Sequence, residues 1–269
     1  METAIIKQPV VSVRDKPSQQ AALTDEVLHG MTVNVLSQTD GFAYIRTHYG
    51  YEGYIEGAAL AAAGHGYCLC TEETEHPPHV IRHAAVDVLE APRVQAQRLV
   101  CLPRGAFIMC GETLEGGWTE VRLADGRAGF LRTAHAGDVI KRAEDAQARR
   151  SAIINTALSY MGTQYRWGGK TPEGIDCSGL CSMAYMLNGI LICRDARLDA
   201  GFPVLAIPFT EAKEADLLYF PGHIAMLLSG MCFIHATASG NGVRINSLDP
   251  SENNYRNDLA QSLLFAGTI

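Results

Sequence analysis

The chain has 269 residues, enough for two or three small domains, because single hydrophobic cores rarely grow beyond roughly 250 residues. Its 22 Lys and Arg residues against 29 Asp and Glu residues give a net charge of −7, which disfavours nucleic acid and anionic membrane surfaces as partners. Without an apolar run of 18 residues or a secretory signal at the N-terminus, we expect a cytoplasmic protein that binds no membrane, unless the natural chain carries a signal upstream of Met1. Eight irregularly spaced cysteines in a chain of this size fit reduced thiols.

Residues 10 to 60 match a later stretch when they are shifted by about 75 positions. The run VSVRDKP falls on VDVLEAP, DGFAYIRT on GGWTEVRL, and YGYEGYI on DGRAGFL. The alignment pairs Val13 with Val88, Gly30 with Gly105, and Phe42 with Trp118. Each copy consists of short alternating runs divided by Gly, Pro and Asp-Gly, a pattern that predicts a small β-barrel or sandwich.

The order of these signals resembles bacterial SH3-like modules, which implies two small all-β barrels. We place the first at residues 1–64 and the second, preceded by a linker, at 65–140. The linker region carries Cys and His at short spacing: His65, Cys68, Cys70, His76 and His79. Such residues can bind zinc, but Cys-x-Cys is closer than the usual ligand separation. A polar connector with partly buried thiols is the other interpretation.

From residue 141 the pattern changes to mixed helix and strand. Apolar residues recur at helical spacing: Ile153, Ile154, Ala157, Leu158 and Met161. Gly162 is the expected helix stop. Further on, the runs ADLLYF, GHIAMLL, MCFIHAT and GVRINSL predict consecutive strands joined by tight turns. The third domain is therefore expected to span 141–269 with an α+β fold.

Cys177 follows the turn-like run GGKTPEGID. An apolar helical stripe comes after it: Leu180, Met183, Ala184 and Leu187. Cys177 is therefore expected in or just before the first turn of a helix, where free N–H groups and the helix dipole stabilise a thiolate and lower the thiol pKa. This position suits a nucleophile, although a buried structural thiol is the alternative. Cys181, one turn further along, is expected in the core.

Two histidines lie in a predicted hairpin that turns near Ser229 and Gly230. His223 is at the head of one strand and His235 near the end of the other. If the loop has an odd number of residues centred on Ser229, the two positions face one another on the same side of the sheet. One imidazole can then take the thiol proton while the other orients it.

These residues resemble the NlpC/P60 cysteine peptidases, which cleave cell-wall peptides. The runs YRWGGKTPEGIDCSGL, ADLLYF and GHIAMLLSGMCFIHA reproduce, in order, the Asp-Cys-Ser-Gly nucleophile, the Gly-His base and a polar residue on the next strand. The resemblance implies a papain-like domain in which Cys177 is the nucleophile, His223 the general base and His235 the orienting residue. It implies no cofactor and no catalytic metal.

The SH3-like modules and the run ICRDA make the chain similar to one branch of the family. That branch comprises γ-D-glutamyl-L-diamino acid endopeptidases of the dipeptidyl-peptidase VI type, which act on peptidoglycan stem peptides already freed from the wall. In it, the acid of an Arg-Asp pair holds the free amine of an N-terminal L-alanine, which implies this role for Asp195. Ala196 stands where these enzymes commonly have a serine. The implied role is the recycling of murein peptides inside the cell.

Other pocket residues follow from that substrate. Ser178 and the N–H groups at the helix start are expected to donate to the D-glutamyl α-carboxylate, and Asp176 to fix the local loop or a nearby donor. Tyr165 is expected to donate to the developing oxyanion, and Trp167 to wall the pocket. Packing in the core is the other interpretation of both aromatic residues.

The same branch uses an acid and a tyrosine of the first SH3-like module. In YGYEGYI the candidates are Glu52 and Tyr51, for which solvent exposure is the alternative.

Three rival interpretations of the site stay open. Cys177, Cys181, His223 and His235 are a Cys2His2 set that suits a structural zinc. The chain could also be a binding protein that holds a wall peptide, or an amidase or transglutaminase-like enzyme, because a triad fixes nucleophilic chemistry and not the acceptor. The oligomeric state is not predicted.

Overall fold

The structure, a computed structural model, describes residues 2–62, 78–138 and 145–269. By its internal contacts the chain divides into two compact units, residues 1–139 and 140–269. The predicted boundaries after residues 64 and 140 fall outside the described residues, so they stay predictions. Within the described ranges, no helix combines the length and apolarity needed to cross a membrane.

The first half of the N-terminal unit is a β module, here called module 1. Between residues 2 and 62 it has seven strands: β1 Glu2–Ile6, β2 Val10–Arg14, β3 Leu23–Leu28, β4 Thr32–Thr39, β5 Phe42–Thr47, β6 Glu52–Glu56 and β7 Leu60–Ala62. A short 3-10 turn, Gly57–Ala59, leads into β7. The strands lie in the order β3-β2-β6-β5-β4-β1-β7, and each neighbouring pair is antiparallel.

The second half, module 2, repeats this plan. Between residues 78 and 138 its seven strands are β8 His79–Ile81, β9 Ala85–Leu89, β10 Arg98–Pro103, β11 Phe107–Leu114, β12 Trp118–Arg122, β13 Ala128–Arg132 and β14 Ala136–Asp138. Thr133–His135 forms the matching 3-10 turn. The order β10-β9-β13-β12-β11-β8-β14 is that of module 1 with each strand replaced by its equivalent.

The sequence repeat follows from equivalent packing in the two modules. Val13 and Val88 occupy the same place in β2 and β9, and both are fully buried. Each presses on a glycine of the strand alongside: a Cβ on Gly53 would lie 2.4 Å from Cγ1 of Val13, and one on Gly129 would lie 2.6 Å from Cγ1 of Val88. A larger residue at either glycine would collide with the core, so the valine and glycine recur together.

The two modules also bind each other directly. The carbonyl of His29 accepts the N–H of Phe107 at 2.8 Å. The ring of the same histidine accepts the N–H of Ala124 at Nε2, at 3.2 Å, and contacts the carbonyl of Lys7 through Nδ1 at 2.9 Å. The prediction that this unit consists of two similar all-β modules is confirmed.

The C-terminal unit combines helices with an antiparallel sheet. Its helices within residues 145–269 are α1 Ala146–Leu158, α2 Cys177–Met186 and α3 Asn257–Ser262. The strands of the same range are β15 Lys170–Thr171, β16 Gly174–Ile175, β17 Leu205–Ile207, β18 Leu217–Phe220, β19 His223–Ser229, β20 Cys232–Thr237, β21 Gly242–Ser247 and β22 Phe265–Thr268. The main sheet has the order β17-β22-β18-β19-β20-β21, and α2 packs against α1, β19 and β20.

The first helix shows how local signals set its limits. Asp145 caps α1 by accepting the N–H of Ala148 at 2.6 Å, and the helix ends at Leu158 with Ser159 as its C-cap. The predicted stop at Gly162 is therefore wrong, although Gly162 has a φ of 81°, which favours glycine, in the turn that follows. The buried face contains Ile153 and Ala157, as expected. Met161 is an exception: it lies beyond the helix end and is 44% exposed, so its place in the predicted stripe is wrong.

Candidate active site

Cys177 is the first residue of α2. Asp176, the N-cap, has extended backbone angles and accepts the N–H of Gly179 at 2.6 Å. The cap ends the loop and starts the helix at the cysteine. The structure thus places Cys177 where the sequence predicts it, at the positive end of the helix dipole. Cys181, one turn later, is fully buried, as expected of a core residue.

The thiol of Cys177 is buried and receives two main-chain N–H groups. These come from Ser178 in the helix and from Ile224 in β19, the residue directly after His223. Burial nevertheless raises the pKa of the thiol above its ordinary value, and the negative charge of Asp176 raises it further. The expectation of a lowered pKa is therefore wrong for the free enzyme, because desolvation outweighs the helix start and the two N–H groups.

The two histidines meet as predicted, although not through the predicted register. Nε2 of His223 lies 2.8 Å from Nδ1 of His235, with ring centroids 5.0 Å apart. The hairpin turns at Gly230 and Met231, and the register shifts by one residue beside Leu228. Residue 235 thus comes opposite residue 225, so the histidines are diagonal neighbours on one face. Their side chains are long enough to bridge that offset.

Both imidazoles lie in an apolar environment. The ring of Phe220 is 5.8 Å from that of His223, and the ring of Phe233 is 5.0 Å from that of His235. Burial lowers the pKa of His223 to about 4, and His235 and the positive charge of Arg256 contribute in the same direction. Burial likewise lowers the pKa of His235 to about 4. Near pH 7 the free site therefore holds a neutral thiol beside two neutral imidazoles.

The second histidine has a partner, Asn246, that the sequence did not indicate. Oδ1 of Asn246, on β21, lies 2.9 Å from Nε2 of His235. His223, His235 and Asn246 form a row of hydrogen-bonded side chains, which we call the imidazole row. A polar residue inside the predicted strand GVRINSL was the available signal, but its alignment with His235 depends on a register that the sequence does not give.

A second set of polar residues surrounds the start of α2, and we call Asp176, Ser178 and Arg194 the cap cluster. Arg194 donates to Oδ1 and Oδ2 of Asp176 at 3.1 and 3.0 Å and to Oγ of Ser178 at 2.8 Å. Oδ2 of Asp176 also accepts the N–H of Gly168 at 2.8 Å. Asp176 thus fixes the local loop, as expected. The hydroxyl of Ser178 donates to Oδ1 of Asp176 at 3.3 Å, so in this structure its hydrogen is directed at the carboxylate. Donation by Ser178 to a substrate stays a prediction.

The two aromatic candidates differ in their surroundings. Burial raises the pKa of Tyr165 to about 12, with smaller contributions from Cys177 and Asp176, so the phenol keeps its proton and can donate it in a hydrogen bond beside the nucleophile. Trp167 is 69% exposed. Packing in the core is therefore excluded for Trp167, while its role as a pocket wall stays a prediction.

Asp195 follows the buried Arg194 but is itself half exposed. Its carboxylate lies 3.8 Å from Arg197, which is equally distant from Asp199. Its side chain is thus accessible to a cation, and the role of amine anchor stays a prediction.

Glu52 and Tyr51 lie in the N-terminal unit, at the start of β6. Glu52 accepts from Tyr44 at 2.8 Å and from Arg46 at 2.6 Å in an exposed cluster. The hydroxyl of Tyr51 approaches the carbonyl of Thr24 at 3.5 Å. Their part in substrate binding stays a prediction.

The described residues were compared with the metal sites that the sequence suggests. Across residues 2–62, 78–138 and 145–269, no group of three or more His, Cys, Asp or Glu side chains is arranged to hold an ion. The linker candidates His65, Cys68, Cys70 and His76 lie outside the described residues. His79 is described, and its Nε2 is 3.4 Å from Asp138.

Comparisons with known proteins identify the family. The NlpC/P60 family matches residues 162–261, and the bacterial dipeptidyl-peptidase Sh3 domain matches residues 13–60. Dipeptidyl-peptidase 6 of Lysinibacillus sphaericus is 38% identical over 271 residues, which cover 99% of this chain and 99% of that protein. The chain belongs to the NlpC/P60 family.

Two further comparisons extend the match. The gamma-D-glutamyl-L-lysine dipeptidyl-peptidase of Bacillus subtilis (strain 168) is 29% identical over 142 residues, 50% of this chain and 46% of that protein. The crystal structure of an NlpC/P60 family protein from Bacillus cereus ATCC 10987 has a TM-score of 0.82 at 17% identity and covers 98% of each chain. The predictions of an NlpC/P60 fold behind SH3-like modules, and of a cysteine peptidase, are confirmed.

Proposed function

We propose that this chain hydrolyses the γ-D-glutamyl-L-diamino acid bond of peptidoglycan stem peptides that have a free N-terminal L-alanine. The observation that carries the proposal is the meeting of Cys177 and the imidazole row, because the residue next to His223 donates its N–H to the sulfur. The substrate is supported by two relatives, a dipeptidyl-peptidase and a gamma-D-glutamyl-L-lysine dipeptidyl-peptidase.

The proposed reaction starts from neutral groups. His223 takes the proton of the Cys177 thiol as the sulfur attacks the γ-carbonyl carbon of D-glutamate, which gives a tetrahedral oxyanion and an imidazolium. The phenol of Tyr165 and the N–H groups of the helix start are the donors for the oxyanion. The imidazolium then protonates the departing amine of the diamino acid, and a thioester remains. Water, activated by His223, hydrolyses the thioester and restores the thiol.

The free amine of the substrate is assigned to Asp195. A half-exposed carboxylate with one guanidinium at 3.8 Å keeps the capacity to bind an ammonium group. A peptide acetylated at its N-terminus loses that charge, so it leaves the carboxylate unpaired. Ala196 offers no hydroxyl beside it.

The nucleophile can be tested with a matched cysteine. Cys177→Ala is expected to abolish release of the diamino acid from L-Ala-γ-D-Glu-L-Lys and from its diaminopimelate counterpart, measured by mass spectrometry. Cys232→Ala, at the distal end of the same hairpin, is expected to keep parental turnover. Cleavage by Cys177→Ala at the parental rate contradicts the assignment.

The amine anchor has an equally close control. Asp195 and Asp199 each lie 3.8 Å from Arg197, so Asp195→Ala and Asp199→Ala each remove one equivalent ion pair of that arginine. Asp195→Ala is expected to raise KM for the free-amine peptide by about 10- to 100-fold and to affect the N-acetylated peptide much less. Asp199→Ala is expected to behave as the parent does. Equal losses on both peptides contradict the role of Asp195.

The cellular part of the proposal is recycling of wall peptides in the cytoplasm. Tripeptides with a free N-terminal amine arise only when an earlier cleavage releases them from the wall. An enzyme that requires this amine therefore acts after that cleavage. Fractionation of the native host, with an antibody against this chain, tests the location. Recovery of the chain outside the cytoplasmic membrane contradicts it.

A further inference from the structure

The second nitrogen of His235 has a partner to which the proposed reaction assigns no task. Nε2 of His235 lies 2.9 Å from Oδ1 of Asn246, and Nδ1 of the same ring faces His223. Asn246 is opposite Phe233 in the pairing of β20 with β21, which places it on the sheet face that carries His235. Both nitrogens of the second imidazole are therefore engaged, one with the general base and one with an amide.

The amide of Asn246 has a fixed orientation. Its Nδ2 donates to the main-chain carbonyl of Asn254 at 2.8 Å, and a carbonyl only accepts. That carbonyl also receives the N–H of Ser247 at 3.1 Å, while the side chain of Asn254 donates to the carbonyl of Ile245 at 3.2 Å. These hydrogen bonds hold the loop after β21 against β21. Because Nδ2 of Asn246 faces that loop, Oδ1 faces His235.

The proton positions along the row follow in order. Since Oδ1 of Asn246 is an acceptor, Nε2 of a neutral His235 must carry the hydrogen, and Nδ1 must then accept. The partner of that Nδ1 is Nε2 of His223, which therefore carries its own hydrogen. The lone pair of His223 is left on Nδ1. One amide thus determines which atom of the general base is basic.

We propose that Asn246 is a positioning residue that fixes the tautomers of His235 and His223 and so makes Nδ1 of His223 the base. The consequence for catalysis rests on the proposed function, but the tautomers do not. Because Asn246 acts through two rings, its loss is expected to change kcat and the protonation behaviour of the row more than KM.

Charged groups around the row are arranged so that they largely cancel. Arg256 and Asp258, at the start of α3, act on both histidines with opposite sign and bind each other through two contacts of 2.8 and 2.6 Å. On α2, Asp176 is paired with Arg194 and Cys177 carries a neutral thiol. A new negative charge at position 246 is therefore expected to dominate the titration of the row.

Two substitutions at Asn246 separate a tautomer role from a merely structural one. Asn246→Asp keeps an oxygen acceptor for Nε2 of His235 and adds a negative charge. Asn246→Ala removes the acceptor. Asn257→Ala is the matched control, because this exposed asparagine accepts from Tyr255 and Gln261 at the start of α3. Thermal unfolding of each full-length variant monitors the fold, and Asn246→Asp remains informative where Asn246→Ala fails to fold.

The tautomers can be read directly from nitrogen chemical shifts of ¹⁵N-histidine-labelled protein at pH 7. The parent, Asn257→Ala and Asn246→Asp are expected to carry Nε2–H and a bare Nδ1 on both rings. Asn246→Ala is expected to lose that fixed pattern. A parent with Nδ1–H on either ring overturns the inference, and so does an Asn246→Ala protein with the parental pattern.

The pH dependence supplies the second readout. In Asn246→Asp the acidic limb of kcat/KM is expected to move up by about one to two pH units, because a nearby negative charge stabilises imidazolium. In Asn246→Ala, kcat is expected to fall at least about tenfold with KM nearly unchanged. If both variants keep the parental pH profile and differ only in thermal stability, Asn246 is structural and the inference is wrong.

Alkylation of Cys177 by iodoacetamide, located by peptide mass spectrometry, gives a reading that needs no wall peptide. Its rate is expected to fall in Asn246→Ala and to keep its parental value in Asn257→Ala. A parent that cleaves no stem peptide, but shows the expected tautomers and alkylation rates, refutes the proposed function and supports this inference. Parental alkylation of Asn246→Ala, together with normal peptide cleavage, overturns the inference alone.

Discussion

The two polar groups beside Cys177, the cap cluster and the imidazole row, are built on opposite plans. In the cap cluster the members bind one another: the guanidinium of Arg194 holds both carboxylate oxygens of Asp176 and the hydroxyl of Ser178. In the imidazole row the hydrogen bonds run in one direction, from His223 to His235 and on to the amide of Asn246. The first network closes on itself, whereas the second starts at a ring whose Nδ1 is the proposed base and ends at an amide oxygen.

The difference separates stability from reactivity. A buried charge requires compensation, and the cap cluster pairs its two charges within one set of contacts. The imidazole row carries no charge near pH 7, because burial lowers the pKa of each ring to about 4. Substitutions in the cap cluster should therefore affect folding first, and substitutions in the row should affect chemistry first.

The largest effect is expected for the general base. His223→Ala should lower kcat by about 10²- to 10⁴-fold, because no other group on the strand can take the thiol proton, while thermal stability stays near that of the parent. Stem-peptide turnover and thermal unfolding, measured side by side, test this. His83→Ala, an exposed histidine of module 2, should change neither quantity. A His223→Ala protein with near-parental kcat removes the row from the mechanism.

The closed network gives the next effect, on stability. Arg194→Met should lower the free energy of unfolding by about 3–5 kcal/mol, since it leaves the carboxylate of Asp176 buried without its cation. Urea denaturation measures this loss. Arg197→Met is the control, because its side chain is 65% exposed and forms ion pairs only at 3.8 Å among the described contacts, so a change within about 0.5 kcal/mol is expected. Equal losses in the two variants contradict the distinction between the networks.

The features that the sequence predicted well are those with local signals. The start of α2 was predicted because its signals are local: a turn-rich run, an acidic cap and then an apolar stripe. The strands were predicted from alternation, and the repeat from residues that recur about 75 positions apart, such as Val13 and Val88 or Gly30 and Gly105. The residues Cys177, His223 and His235 were found because each lies at or near the end of such an element.

What the sequence did not predict depends on longer-range geometry. Arg194 lies in an irregular stretch, 16 positions from Ser178, so no periodicity connects the two. The sequence also does not show that Ser178 accepts a hydrogen bond from Arg194, and its role as a substrate donor stays a prediction. The register of the histidines depends on one extra residue, Leu228, and on a turn at Gly230 and Met231 that the letters LLSGMC do not distinguish from a turn one residue earlier.

Acid should weaken folding through the imidazole row. The pKa of each histidine is about 4 in the folded chain against an ordinary value of 6.5, so the unfolded chain binds more protons between these values. Stability is then fully present above about pH 6.5 and falls as the pH drops towards 4, by up to roughly 3 kcal/mol for each ring.

Urea denaturation at several pH values tests this expectation. The parent should lose stability steadily through the window, and His223→Gln should lose less because one titrating ring is gone. Asn246→Asp should also narrow the pH range over which stability is lost, because its negative charge raises the pKa of the histidines in the folded chain. Stability that is constant between pH 6.5 and 4 would show that the rings titrate in the folded chain as they do in the unfolded chain, which contradicts the lowered pKa values.

The smallest effect is expected at Trp167, which belongs to neither network. Its indole is 69% exposed, so Trp167→Ala should change the free energy of unfolding by no more than about 0.5 kcal/mol. A pocket wall should still bind the stem peptide, which predicts a KM raised by about tenfold with kcat nearly constant, because a stacking contact made equally in ground state and transition state affects binding alone. Steady-state kinetics on L-Ala-γ-D-Glu-L-Lys measure both constants. Unchanged KM would mean that the indole faces solvent during turnover, and a fall in kcat without a change in KM would assign Trp167 to the chemistry instead of the wall.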